Sequence, residues 1–265
     1  MHIPKVEARI LIAVVVIAFA PISIKAQDAN PQNPAVTATT NAAPVKAKPP
    51  LQPRQPEDAV TPAPVVGTSG HNKLLKIAQD KNIQLVFLGD SITAYWQRAG
   101  LPVWTKYYTQ YDAGDFGIPG ETTDQTLGHI AGGILNELHP KAVVILIGTN
   151  NISKLHDQPE WVAAGIQKIV ITVREKLPQS QIVLLAIFPC GKKSDGRRAK
   201  IEAVNSILSK TDFGPQVHYL DIGAKFLDPN GDLPKELFPD LLHPSTPGYQ
   251  IWAENMQPVL DPLLK

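Results

Sequence analysis

Five short apolar runs punctuate the chain after residue 80: Ile83–Leu88, a weaker one at Tyr111–Phe116, Ala142–Ile147, Ile182–Phe188 and Val217–Ile222. The third and fourth, AVVILI and IVLLAIF, are apolar at nearly every position. That pattern predicts strands buried on both faces, as in a parallel sheet covered by helices. Between the runs the period changes. Trp161–Lys176 places apolar residues at Val162, Ile166, Ile169, Val170 and Val173, close to a 3.6-residue repeat, and Pro178 follows its end. Arg197–Leu208 and Tyr249–Leu264 read the same way, with Pro258 and Pro262 expected to kink or shorten the last helix. Strands alternating with helices predict crossover units and an open α/β sheet.

Ligands of such sheets sit at the carboxyl ends of the strands. Gly89-Asp90-Ser91 follows the first run, GIPGETT (Gly117–Thr123) the second and IGTNN (Ile147–Asn151) the third. All three polar turns are therefore expected along one edge of the sheet. A fourth polar group, PDLLHPS (Pro239–Ser245), precedes the last helix.

Composition divides the chain. Residues 1–26 read as a secretory signal, with basic Lys5 and Arg9, an apolar run Ile10–Ala20 and a small residue at Ala26. The run is short for a membrane span, which takes roughly 20 apolar residues. From Gln27 to Gly70 the chain holds nine of its 25 prolines and no aromatic residue. A segment so poor in apolar surface is expected to be a disordered, partly extended tether. Residues 71–265 are then one domain of ordinary size, with no internal repeat. Net charge is +1 overall, and removal of residues 1–26 leaves about −1. No basic tract suggests nucleic acid. Cys190 is the only cysteine, so no intrachain disulfide can form.

Ester hydrolysis through a covalent intermediate needs a nucleophile, a base and donors for an oxyanion. Ser91 can supply the first and His243 the second. Asp240 lies three residues before His243, a spacing that in a helical turn puts both side chains on one side and lets the carboxylate hold the Nδ1 proton. The amides of Ser91 and Gly120 and the side chain of Asn150 can form the oxyanion pocket. Helix capping and turn formation alone also account for Ser, Asp and Asn at such positions. Asp90 reads as a turn-builder and Asn151 as structural. His71, His129, His139, His156 and His218 read as surface or packing residues. Neither HExxH nor paired cysteines suggest zinc, the lysine of a phosphate loop is missing, and no GxSxG elbow occurs.

The blocks GDSI (Gly89–Ile92), Gly120 in GIPGETT, Asn150 in GTNN, and Asp240 with His243 in DLLHP resemble the four signature blocks of the SGNH (GDSL) hydrolases, in the family's order. Within it, FGIPGETT, VVILIGTNN and HYLDIGAKFLDPNGDL are most similar to the catalytic subunits of platelet-activating-factor acetylhydrolase and their secreted bacterial relatives. The resemblance implies a three-layer α/β/α sandwich with a five-stranded parallel sheet, the flavodoxin-like SGNH hydrolase fold. It implies an acyl ester substrate and no metal or other cofactor. It assigns Ser91 as nucleophile, Gly120 and Asn150 as oxyanion donors, and Asp240 and His243 as the rest of a triad. The chain departs from the family at Cys190, where relatives usually carry arginine, in the shortened loop GKKSDGRR, and at Glu121, where little effect on the chemistry is expected. The resulting expectation is a secreted or periplasmic serine esterase cleaving short-chain, acetyl-type esters, on small molecules or polysaccharides. The rival readings are a phospholipid or lysophospholipid acylhydrolase and a catalytically silent glycan-binding module. The tether permits association with the cell envelope, and pairing of the resembling subunits leaves a homodimer open.

Overall fold

The computed structural model describes residues 53–265. The expected signal at 1–26 and the first part of the tether lie outside the described residues. Five strands form one parallel sheet: β1 (Leu85–Gly89), β2 (Ala113–Gly117), β3 (Ala142–Leu146), β4 (Gln181–Leu185) and β5 (Val217–Leu220), in the order β2-β1-β3-β4-β5. Along the chain the helices are α1 (Ser69–Ile77), α2 (Ser91–Ala94), α3 (Leu101–Tyr107), α4 (Thr123–Ala131), α5 (Thr149–Ser153), α6 (Pro159–Lys176), α7 (Gly196–Leu208) and α8 (Thr246–Leu264).

Alternation along each strand explains the three layers. Val86 and Leu88, Val143 and Ile145, and Ile182 and Leu184 face one apolar layer, closed by Leu74 of α1, Leu127 and Ile130 of α4, Ile166 and Val170 of α6 and Val204 of α7. Leu85 and Phe87, Val144 and Leu146, and Val183 and Leu185 face the other, closed by Trp104 of α3 and Trp252, Met256 and Leu260 of α8. Burial on both faces is why β3 is apolar throughout and β4 is apolar after its half-exposed first residue, Gln181.

The tether expectation fails for residues 53–70. Pro56–Ala59 form a 3₁₀ turn and Ala59 is wholly buried. Arg54 Nε donates to Asp157 Oδ1 at 2.9 Å, Ala63 N–H donates to the Asp124 carbonyl at 2.9 Å, and Thr68 caps α1. Non-local polar ties act together with the burial of Ala59 and Val65 to order this strap, which composition alone does not reveal. The last helix also differs from expectation, running through Pro258 and Pro262 to Leu264. Both prolines and Glu254 are exposed. The carbonyls of Glu254 and Pro258, which lose their helical donors, therefore lie on the side that water reaches.

Candidate active site

The ends of β1, β2 and β3 bring the three polar turns to one edge. β1 and β2 finish in register, Gly89 opposite Gly117. A Cβ at Gly89 would stand 2.2 Å from the Leu146 carbonyl oxygen, and one at Gly117 would stand 2.2 Å from the Ala94 nitrogen. Only glycine lets α2 sit this close to the strand ends.

Asp90 caps α2: its Oδ1 accepts from Ile92 N–H at 2.9 Å. Asp90 has no exposed surface, whereas Ser91 keeps 9%, so the turn sends the acid inward and the hydroxyl outward. Burial pushes the Asp90 carboxyl up to about 7, against the opposing pull of the Ile92 N–H. The Tyr249 hydroxyl donates to the Ile92 carbonyl at 2.6 Å and ties α8 to the same turn.

His243 arrives from the loop before α8. Its Nε2 lies 2.9 Å from Ser91 Oγ, and its Nδ1 lies 2.6 Å from Asp240 Oδ2. The structure therefore joins Ser91 to Asp240 and His243, with 152 positions between Ser91 and His243. The expected helical turn between Asp240 and His243 is absent. Leu241 sits at φ +59°, and Asp240 Oδ1 accepts from both Leu242 N–H (3.0 Å) and His243 N–H (2.7 Å). The carboxylate builds the turn with one oxygen and holds the imidazole with the other. Partial burial pulls the Asp240 carboxyl upward, but the bonds from His243 and Leu242 outweigh it and hold it below the usual carboxylate range. Tyr95, four residues beyond Ser91, packs on His243 with ring centroids 4.7 Å apart, and the Arg98 guanidinium lies 4.6 Å from the Tyr95 ring centre.

The other two turns flank Ser91. Gly120 has φ +87°, and its turn closes through Glu121 N–H onto the Ile118 carbonyl at 3.2 Å, leaving the Gly120 N–H outside that bond. Asn150 is buried, and its Nδ2 donates to the Glu121 carbonyl at 2.9 Å and reaches Asp90 Oδ2 at 3.4 Å. Asn151, read from sequence as structural, accepts from Thr123 N–H at 3.0 Å and donates to Asp157 Oδ2 at 3.0 Å, which links it to the Arg54 strap. Cys190 is buried in the apolar layer, and burial raises its thiol above the ordinary range.

Sequence reasoning missed Tyr95, Tyr249 and Asp157. Only Tyr95 carried a local signal, its spacing of four from Ser91 on a helical turn. His71 and His129, expected as surface or packing residues, are buried and hydrogen-bonded to each other.

Chemically, a neutral His243 that donates Nδ1–H to Asp240 offers the Nε2 lone pair to the Ser91 hydroxyl. Beside that hydroxyl stand the turn of Gly120 and the amide of Asn150. Comparison with known proteins gives the same direction. A family model described as GDSL-like Lipase/Acylhydrolase matches residues 87–251. Platelet-activating factor acetylhydrolase IB subunit alpha1 of Bos taurus is 31% identical over 199 residues, covering 72% of this chain and 84% of that protein. A GDSL-like lipase from Bacteroides thetaiotaomicron superposes with TM-score 0.61 at 18% identity, covering 73% of this chain and 98% of the other. An acetylxylan esterase from Geobacillus stearothermophilus gives TM-score 0.51 at 19% identity, with coverage of 66% and 92%. The two structures share the fold.

Proposed function

Because the chain belongs to the GDSL-like lipase/acylhydrolase family and is a hydrolase of esters, we propose that it works through an acyl-enzyme on Ser91. His243 Nε2 takes the Ser91 proton as Oγ bonds to the ester carbonyl carbon. The carbonyl oxygen becomes an oxyanion held by the Gly120 and Ser91 N–H groups, and the Asn150 amide joins them by turning to it the hydrogen that otherwise points at Asp90 Oδ2, 3.4 Å away. The tetrahedral intermediate collapses, the carbon–alkoxide bond breaks, and His243 returns the proton to the leaving oxygen. Water then attacks the acyl carbon, gives its proton to His243, and Ser91 leaves with that proton restored. Asp240 keeps Nδ1 protonated and Nε2 aimed at Ser91 throughout. The observation that carries this reading is the unbroken hydrogen-bond chain Asp240–His243–Ser91 at 2.6 and 2.9 Å.

The substrate of this reading is a short acyl ester, acetyl above all, since the 31%-identical relative is an acetylhydrolase by name. The signal-like segment at residues 1–26 supports an extracytoplasmic setting, and with it acetylated carbohydrate as the alcohol side. The relative's action on platelet-activating factor favours a phospholipid-type ester as the second reading. Turnover of p-nitrophenyl acetate by wild type, Ser91→Ala and His243→Ala tests the mechanism: both variants should lose about 10³-fold or more in kcat. Equal rates in all three proteins would overturn it. Acetate release from acetylated xylose oligomers, set against fatty-acid release from lysophosphatidylcholine, separates the two substrate readings.

A further inference from the structure

Behind the Gly120 turn runs a buried polar chain that the mechanism above does not use. Glu121 is 6% exposed, His129 2% and His71 1%. Glu121 Oε1 lies 3.2 Å from His129 Nε2, and His129 Nδ1 lies 3.0 Å from His71 Nδ1. The two imidazoles stack nearly parallel, 11° apart. Burial, then the neighbouring His129, lowers the His71 pKa below its ordinary value. Glu121 Oε1 pairs with His129 Nε2, and one Nδ1–H is shared between the two rings. Glu121 Oε2 and His71 Nε2 have no partner among the described residues. Toward the site the chain ends in the backbone of Glu121, whose carbonyl accepts the Asn150 side-chain amide at 2.9 Å.

Buried polar groups that cost desolvation and reach no solvent call for a role beyond packing. An apolar side chain at 121 would fill the same space without that cost. A carboxylate anchored at its far end, by contrast, fixes the orientation of its own peptide plane. We infer that Glu121, braced by His129 and His71, is a positioning residue for the oxyanion pocket, setting through its carbonyl the angle of the Asn150 amide. The inference rests on the acyl-enzyme reading of Ser91. Its consequence is selective. Alignment of oxyanion donors matters in the tetrahedral transition state and little in substrate binding. Loss of the anchor therefore lowers kcat and leaves KM nearly unchanged.

Glu121→Met keeps side-chain length and bulk without an acceptor, whereas Glu121→Gln keeps an oxygen for His129 Nε2. Removing an oxyanion donor outright costs about 10²–10³ in kcat, and misaligning one costs a part of that. With p-nitrophenyl acetate, Glu121→Met should lose about 10–100-fold in kcat with KM within about twofold. Its inhibition by phenylboronic acid, which forms a tetrahedral adduct on a serine, should weaken by the same factor as kcat/KM. Glu121→Gln should stay within about threefold of wild type in kcat. His129→Leu should match Glu121→Met, and the double variant should be no worse than the poorer single one. A kcat for Glu121→Met within twofold of wild type, a loss confined to KM, or a Gln variant as impaired as the Met variant overturns the inference. If Glu121→Met does not fold, His129→Leu carries the test with the same thresholds. Ser91→Ala assayed alongside separates the two readings. Persistent activity there removes the acyl-enzyme itself, whereas an inert Ser91→Ala with a fully active Glu121→Met removes only the anchor.

Discussion

Replacing Asp240 by Asn tests how one carboxylate serves both turn and imidazole. Oδ1 of the native residue accepts two backbone N–H groups, at 3.0 and 2.7 Å, and Oδ2 accepts from His243 Nδ1 at 2.6 Å. An asparagine can keep Oδ1 in place, so the turn with Leu241 at φ +59° survives. Its NH₂ group then faces Nδ1 and donates instead of accepting. The neutral imidazole must shift its proton to Nε2, where it blocks removal of the Ser91 proton. The side chain of Asp240 is 54% exposed, so the stability change should be small, below about 1 kcal/mol. The loss in kcat should be large, about 10⁴-fold, the scale seen when a triad acid is made an amide in serine proteases. Asp240→Ala removes the turn bonds as well and should add a fall in melting temperature that Asp240→Asn does not show. The assays are steady-state turnover of p-nitrophenyl acetate at pH 7–9 and thermal melting of both variants. A tenfold or smaller loss in kcat for a folded Asp240→Asn would refute the claim that Asp240 sets the tautomer.

Three further outcomes follow from other contacts. Burial pushes the Asp115 carboxyl up to about 7, with its Oδ1 held by the Gly117 N–H. The native state therefore binds more protons than the unfolded state between about pH 4 and pH 7, so this group's contribution is fullest below about pH 4 and is lost as pH rises through 7. Asp115→Asn should flatten that slope by about 2–4 kcal/mol between pH 4 and 8 in urea unfolding; an unchanged slope speaks against it. Arg54→Ala leaves Asp157, whose side chain has no exposed surface, without its guanidinium. Arg54 is itself a quarter exposed, so the cost should be about 1–3 kcal/mol, less than for a fully buried pair, and the melting temperature should fall by about 3–8 °C. A change under 1 °C would mean the strap is not held by this pair. Pro258→Ala returns a donor to the Glu254 carbonyl and should raise the urea midpoint, with a gain of about 1–3 kcal/mol; a lowered midpoint would mean that proline's restraint on the unfolded chain outweighs the missing bond.

Legibility in the sequence tracked the range of the forces at work. β3 and β4 were plain because both faces are buried and all their positions but Gln181 are apolar. β2 was weak because Gly114 and Asp115 occupy it for local reasons: a Cβ at 114 would stand 2.8 Å from the Phe116 ring, and Asp115 accepts from Gly117 N–H. No apolar period announced α4, since its buried positions include Thr123, which bonds the Ala59 carbonyl, Thr126, and His129, which bonds Glu121 and His71. The strap at 53–70 hid for the same reason, because Arg54 finds Asp157 across 103 residues. Composition sees local apolar content and is blind to one well-placed ion pair.

The site obeyed the same division. Ser91, Gly120 and Asn150 were readable because each follows a strand end, where the topology of a parallel sheet gathers polar turns regardless of detail. Asp240 and His243 were readable by their spacing, yet the reason offered for it, a helical turn, was wrong. Three residues apart suits this pair because Asp240 itself closes the turn that carries His243, so the acid cannot be displaced without moving the base. Such double use makes the loop before α8 self-positioning. It needs from the rest of the fold only an anchor, which the structure supplies through Gly191 N–H on the Leu241 carbonyl at 2.7 Å and Ser245 N–H on the Leu237 carbonyl at 2.8 Å. The oxyanion side has no such economy. Asn150 and Gly120 sit on separate turns, and behind them stand the buried Glu121, His129 and His71.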